Sequence, residues 1–353
     1  MAKKLALIPM FIFAGLGVFY GGAKFYVPWY GGNDFKNYSL MVERPLHNDA
    51  LSPFAYRIVT PTFAHYLKQS GMFYRSKSTP FEDAFTNYDG KTYDPKVLNA
   101  LIFANFVFLV LAAFFLAEAI GDDLSALDPQ LVALLQFVIP ALLFLSFSTV
   151  AHGFTGLTEG GSVFFVSLLL YLFQKRNIVV FFCVVCLSVL QREIIPLILF
   201  AYIVGFGLKR SVMPYLLACG LAFLLIMVGE IVLFPIQGNE DEIQLSGYVS
   251  NLLAFRLTRD FVFQTLFSCN LVFMSLIFLW ATNKLASSLR LLLPFFVVFV
   301  FLFGLGIIAG IGNNLGRILN LATPVLLLSL AAIFKVSASA NERIAGLTAG
   351  NLH

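Results

Sequence analysis

The chain has 353 residues, of which 59% are hydrophobic and 12% charged, and a mean hydropathy of +0.86. These values exclude an ordinary soluble domain, and 40 phenylalanines suit a surface that faces lipid. The net charge of +4 comes from basic residues scattered between apolar runs, so it does not describe a nucleic-acid-binding face and no nucleic-acid partner is expected.

Many apolar runs approach the roughly 20 residues that cross a ~30 Å hydrocarbon core. In lipid each run must satisfy its own backbone, so the expected fold class is an all-α polytopic membrane protein of about ten transmembrane helices. Residues 1–335 are read as one transmembrane domain, 27–97 as its long first extracytoplasmic loop and 336–353 as a cytoplasmic tail.

The N-terminal Met1-Ala2-Lys3-Lys4 followed by an apolar run resembles a signal peptide. It lacks a clear small-residue cleavage site, so a retained signal-anchor helix from about Leu5 to Tyr26 is expected, with Trp29 and Tyr30 at the interface. The loop that follows opens with Asn33-Asp34-Phe35-Lys36-Asn37-Tyr38. Its carboxylate can act as a general base at the membrane surface, and a solvated acid capping a short helix is the plainer reading.

Within the loop, Phe54, Ile58, Val59, Phe63, Tyr66 and Leu67 recur at helical spacing while Arg57, His65 and Lys68 share the opposite face. This predicts an amphipathic helix, kinked at Pro61, lying on the membrane surface or packed on the bundle.

The second span is expected from Leu98 to Ile120, and Asp128-Pro129 is a helix N-cap and first-turn pair before a third span, Leu131 to Val150. His152 and Glu159 lie at the mouth of the fourth span, which runs to Phe173. His152 is most simply a locally bonded loop histidine, whereas Glu159 opens a helix at membrane depth. Two ligands are too few to assert a metal site, so a divalent metal cofactor stays open.

Asn177–Leu190 and Ile194–Leu208 are short runs that read as one helical hairpin with Gln191-Arg192-Glu193 at its tip. Arg192 and Glu193 there form either a self-paired ion couple or part of an active site. Later spans are expected at Val212–Phe234 (interrupted by Glu230), Phe261–Thr282, Leu291–Ile311 and Ile318–Phe334, with Asn313–Arg317 as a tight turn. Arg317 has no acid beside it in sequence, and its planar fork of donors suits a phosphate, with snorkelling to the surface as the alternative.

Beyond Lys335 the chain is small and polar and reads as poorly ordered. Cys183, Cys186, Cys219 and Cys269 all fall inside apolar segments and read as packing residues. With both termini cytoplasmic, Lys3/Lys4, Lys175/Arg176, Lys209/Arg210, Lys284/Arg290 and Lys335/Arg343 all fall inside, as the positive-inside rule requires. Asp34, Arg57, His152, Glu159, Arg192, Glu193, Glu230, Arg256, Arg259 and Arg317 then gather toward the outer side, where they need a shared polar chamber.

An acid just outside the first span, followed by Tyr38 and a long loop with amphipathic helices, resembles the GT-C superfamily of membrane glycosyltransferases. So do Gly156-Leu157-Thr158-Glu159, Gln174-Lys175-Arg176-Asn177, Gln191-Arg192-Glu193-Ile194-Ile195-Pro196, and Gly316-Arg317 with Ala322-Thr323-Pro324. The likeness covers the overall layout of the spans. Asp34 stands alone where many members carry an acidic pair, and without a sizeable soluble C-terminal domain in this sequence an acceptor is expected to be recognised by the membrane part and its loops.

The resemblance implies transfer of a sugar from a polyprenyl-phosphate carrier to a glycan, lipid or protein acceptor, with inversion, outside a bacterial cytoplasmic membrane. It implies Asp34 as base, Arg317 and Arg192 at the phosphate, and Glu159 or Glu193 as catalytic acceptor or metal contact. Tyr38, Arg57 and His152 complete the substrate-binding set. The competing readings are a secondary transporter, for which no internal repeat is seen, and a non-catalytic protein that handles or scrambles lipid-linked intermediates.

Overall fold

The computed structural model describes residues 6–25, 32–45, 57–72, 94–146, 158–233, 250, 253, 255, 259–308 and 315–350, and among them every regular element is helical. Asp94 starts the central helix, α4, Pro95–Asp123. Its side chain accepts from the Lys96 amide at 2.9 Å, and Pro95 fills the first-turn position where no amide is needed. Twenty-nine residues give about 43 Å of helix, enough to cross a hydrocarbon core. Among the described residues, two further helices are long and apolar enough for this: Leu285–Ile308 and the stretch Leu315–Ala338.

Around α4 stand α1 (Leu7–Phe25), α5 (Pro129–Ala141) and α6 (Glu159–Gln174). Leu109, Leu116 and Ile120 of α4 and Val163, Val166 and Leu170 of α6 are fully buried in one core. The α4–α6 approach is close because Gly160 has no side chain: a Cβ there would stand 2.6 Å from the Asn105 carbonyl oxygen. Small residues at such crossings let helix backbones meet in lipid, where no hydrophobic force pushes them together.

From the first loop come α2 (Gly32–Glu43) and α3 (Val59–Gln69). Ile58, Phe63, Ala64 and Leu67 pack with Tyr38, Met41 and Val42 onto Val97, Leu101 and Ala104 of α4. Thus α3 lies against the bundle. Pro61 falls in its first turn, where the missing amide costs nothing, so no kink is needed. Arg57 precedes the helix instead of sharing a polar face with His65 and Lys68. The Val42 carbonyl lies 2.6 Å from Nδ1 of His65, which must therefore carry the proton, and Nε2 accepts from Gln69.

The hairpin is α7 (Ile178–Val189) and α8 (Ile195–Phe206), each 12 residues or about 18 Å long, well short of a ~30 Å core. Asn177 caps α7 through the Val180 amide, and α9 (Met213–Leu233) packs on both arms. The expected eighth span is two helices, α10 (Arg259–Ser268) and α11 (Asn270–Ala281), joined at Cys269. Next come α12 (Leu285–Ile308), α13 (Leu315–Leu319), a 3-10 turn at Asn320–Ala322, and α14 (Thr323–Gly350).

Two boundaries differ from expectation. Arg317 sits inside the helical turn α13, not in a tight turn, and α14 runs on to Gly350 where an unordered tail is expected. Nothing breaks the backbone pattern after Phe334, because Ser, Ala and Asn tolerate a helix that already has momentum from its apolar half. In the third span the α-helix tightens after Pro140 into a 3-10 turn at Leu142–Leu145, and residues 147–150 of the expected span lie outside the described residues.

Two ion pairs fix the C-terminal end of α4. Asp122 meets Lys175 at 2.6 Å and Asp123 meets Lys335 at 2.9 Å. Large apolar side chains such as Leu217, Leu224, Met274, Ile277, Trp280 and Val300 stay exposed on α9, α11 and α12. Water would penalise such a face and lipid does not, so the apolar helices fit a membrane environment.

Gly160→Ala should lower stability by about 1–3 kcal/mol, since the backbones of α4 and α6 must separate. Gly220→Ala, whose Cβ meets nothing within 4 Å, should change it by less than ~0.5 kcal/mol. Thermal unfolding of the two variants in detergent measures the difference.

Candidate functional site

Glu159 is the first residue of α6 and is wholly buried. Two neighbours make that tolerable. The helix N-terminus favours an acid, and Asn105 of α4 supplies its side-chain oxygen to the Gly160 amide at 2.9 Å, the capping that Thr158 does not provide. Arg317 then donates to one Glu159 oxygen, Oε1, from both Nε (2.8 Å) and Nη2 (2.6 Å). Arg192 Nη1 stands 3.5 Å from the same oxygen.

A second cluster joins the first loop to the hairpin tip. Arg57 grips Glu193 with Nη2 on Oε1 at 2.7 Å and Nε on Oε2 at 3.3 Å, and its Nη1 donates to the Tyr38 hydroxyl at 3.3 Å. Thr158 donates to the same hydroxyl at 3.2 Å. Gln191 is a neutral knot beside it. Its amide donates to the Thr158 carbonyl at 2.7 Å, and its oxygen accepts from the Thr60 hydroxyl (2.9 Å) and amide (3.2 Å). A Cβ at Gly161 would run into both Thr60 and Gln191.

Burial opposes ionisation of Glu193. The charge and hydrogen bonds of Arg57 outweigh it, Arg192 adds to them, and the carboxyl is held at about 2 against an ordinary 4.5. For Arg57 burial likewise opposes the charge, and Glu193 with Tyr38 overcomes it and raises the pKa. Burial lowers the pKa of Arg192, with Arg57 and Arg317 adding repulsion and Glu159 and Glu193 acting against them.

Arg192 is accordingly the least compensated of the three arginines. It is only 6% exposed, and its Nη1 makes no hydrogen bond among the described residues. Among the described residues, the charged side chains brought together are Arg57, Arg192 and Arg317 with Glu159 and Glu193.

Several expectations change. Arg192 and Glu193 are not a self-paired couple, because the turn at the tip sends them to different partners. Arg317 is not solitary, since Glu159, which is 158 residues away in sequence, holds it. Tyr38, Arg57, Glu159, Arg192, Glu193 and Arg317 do come together. His152 and Arg256 lie outside the described residues. So do the side chains of Asp34, Glu230 and Arg259, although their backbones are in helices.

Position 34 falls one turn before Tyr38 on the same face of α2. Sequence reasoning missed Asn105 and Thr60. Asn105 left a signal, a lone amide inside an apolar span, whereas Thr60 left none.

The described carboxylates of the site are engaged by arginines. Glu159 Oε1 already accepts two arginine bonds and both Glu193 oxygens bond Arg57. No three His, Cys, Asp or Glu side chains come together among the described residues. Compared with known protein families, curated proteins and solved structures, the chain matches none.

Glu159→Leu should cost about 3–5 kcal/mol by stranding two buried arginines, and the double variant with Arg317→Leu should be less destabilised than the single one. Thermal unfolding in detergent reads both. The depressed pKa of Glu193 means that its stabilising contribution is complete above pH 4.5 and lost as pH falls toward 2. Acid unfolding of Glu193→Gln should lack that component.

Proposed function

We propose that the chain is an integral membrane glycosyltransferase of GT-C type that moves a sugar from a polyprenyl-phosphate donor to an acceptor hydroxyl outside a bacterial cytoplasmic membrane. One observation carries the reading. Among the described residues, Arg192 is a buried cation whose Nη1 makes no hydrogen bond, set beside two further arginines and two carboxylates. Uncompensated charge at membrane depth is costly and marks functional sites, and a phosphate oxygen is the acceptor that an arginine fork fits.

The depth also agrees. Glu159 and Lys175 stand at opposite ends of the 16-residue α6, about 24 Å apart, so with Lys175 at the inner surface the cluster falls near the outer edge of a ~30 Å core. There it meets the phosphate of a carrier whose polyprenyl tail stays in lipid. Ten spans with both termini inside accommodate this placement, with α7 and α8 as a pair that brings its charged tip to the outer site.

In the proposed reaction the acceptor oxygen attacks the anomeric carbon and gives its proton to the Asp34 carboxylate. The bond from the anomeric carbon to the phosphate oxygen breaks, and its electron pair leaves on the phosphate. Arg192 donates to the oxygen that gains charge, with Arg57 and Arg317 nearby to add to the field. Glu193, already ionised and bonded to Arg57, has no proton to give and does not serve as an acid. Glu159, held by Arg317, keeps Arg192 oriented.

Polyprenyl phosphate should raise the melting temperature of the purified protein more than the neutral polyprenol does, and Arg192→Ala should abolish the difference. Asp34→Asn should keep the stabilisation and lose about 10²–10⁴-fold in turnover once a donor is found. Equal stabilisation by phosphate and alcohol would remove the transferase reading and favour transport. Intact turnover in Asp34→Asn would remove the base.

A further inference from the structure

We infer that Glu193 is a positioning residue that fastens the helix bearing Asp34 to the anion site through the relay Glu193–Arg57–Tyr38–Thr158. The inference rests on the proposed transferase reading for its purpose, while its geometry stands independently. Glu193 follows Arg192 at the hairpin tip, so whatever it holds is held relative to the arginine that meets the anion.

It holds Arg57 by two hydrogen bonds, at 2.7 and 3.3 Å, and Arg57 holds the Tyr38 hydroxyl at 3.3 Å. Tyr38 is fully buried and belongs to α2, one turn after position 34. The hydroxyl is held from the other side by Thr158, which precedes Glu159. The relay therefore begins next to Arg192 and ends next to Glu159, with α2 fixed between.

A parallel line of neutral bonds docks α3 on the same tip. Gln191 accepts from the Thr60 hydroxyl and amide, and the Val59 amide donates to the Leu190 carbonyl at 3.3 Å. These bonds fasten α3, whereas α2 is joined to the tip through the Glu193 relay, beside its apolar packing on α3 and α4 and the His65 bond to the Val42 carbonyl at its far end. Losing Glu193 should thus loosen α2 at its Asp34 end while α3 stays docked. The charge-assisted pair is the stronger and more directional link, and its bidentate form fixes the plane of Arg57.

The test uses the full chain in detergent micelles with hydrogen exchange followed by mass spectrometry. Glu193→Gln should speed exchange of the amides in residues 32–43 by about tenfold, and those of α4 and α6 should not change. Glu193→Asp should restore part of the protection. Tyr38→Phe, which removes one hydroxyl from a buried ring, should speed the same amides without touching the hairpin.

Stabilisation by polyprenyl phosphate should survive in Glu193→Gln, because Arg192 is left in place. Unchanged exchange of residues 32–43 in both Glu193→Gln and Tyr38→Phe would overturn the relay. Loss of phosphate stabilisation in Glu193→Gln, when the wild type has it, would also overturn the assignment, since Glu193 would then act at the anion site itself. Absence of phosphate stabilisation in the wild type would strike the transferase reading alone and leave the exchange result to decide the relay.

Discussion

A fully buried carboxylate at the start of α6 is the constraint on which the rest of the site depends. Glu159 is stabilised there by Arg317, which comes to it with two donors, and Asn105 takes over the capping of its helix. Satisfying that one side chain brings α13 to α6 and sets the register of α6 against α4. The same oxygen draws Arg192 to 3.5 Å and with it the hairpin tip. In a low-dielectric interior such a pair contributes little net stability over an apolar substitute, but breaking one half is expensive. Its value lies in fixing which helices meet and where.

Neutral and ionic links have different tasks around it. Asn105 and Gln191 tie backbone groups that would otherwise be orphaned at helix ends, and both are wholly buried. The arginines reach farther and join segments remote in sequence: Arg57 to Glu193 across 136 residues and Arg317 to Glu159 across 158. At the opposite end of α4, Asp122 and Asp123 pair with Lys175 and Lys335 on side chains that remain more than a third exposed. Those partly exposed pairs are screened by solvent and set position weakly, whereas the buried ones set it strongly.

Much of the fold was legible in the sequence where local chemistry decides it. Asp128 accepts from the Gln130 and Leu131 amides as its place before Pro129 predicts. Glu159 opens a helix, and the paired short runs around Gln191-Arg192-Glu193 are two short helices. Pairing was not legible. Adjacent residues of opposite charge suggested a self-contained couple, but a turn points neighbours in different directions, and Glu193 found Arg57 instead. Arg317 looked solitary because its partner is far away along the chain. Thr60 gave no warning at all, since a threonine in an amphipathic segment has many uses and only the approach of Gln191 gives it this one.

The separation between Glu159 and Arg317 also has a consequence for how the protein is made. A ribosome adding about 5–20 residues per second needs on the order of ten seconds or more to travel the 158 residues between them. The hairpin tip arrives much sooner, only 33 residues after Thr158 in the case of Gln191. Of the two arginines in contact with Glu159, Arg192 is therefore translated well before Arg317, and the later one makes the closer contact, 2.6 Å against 3.5 Å.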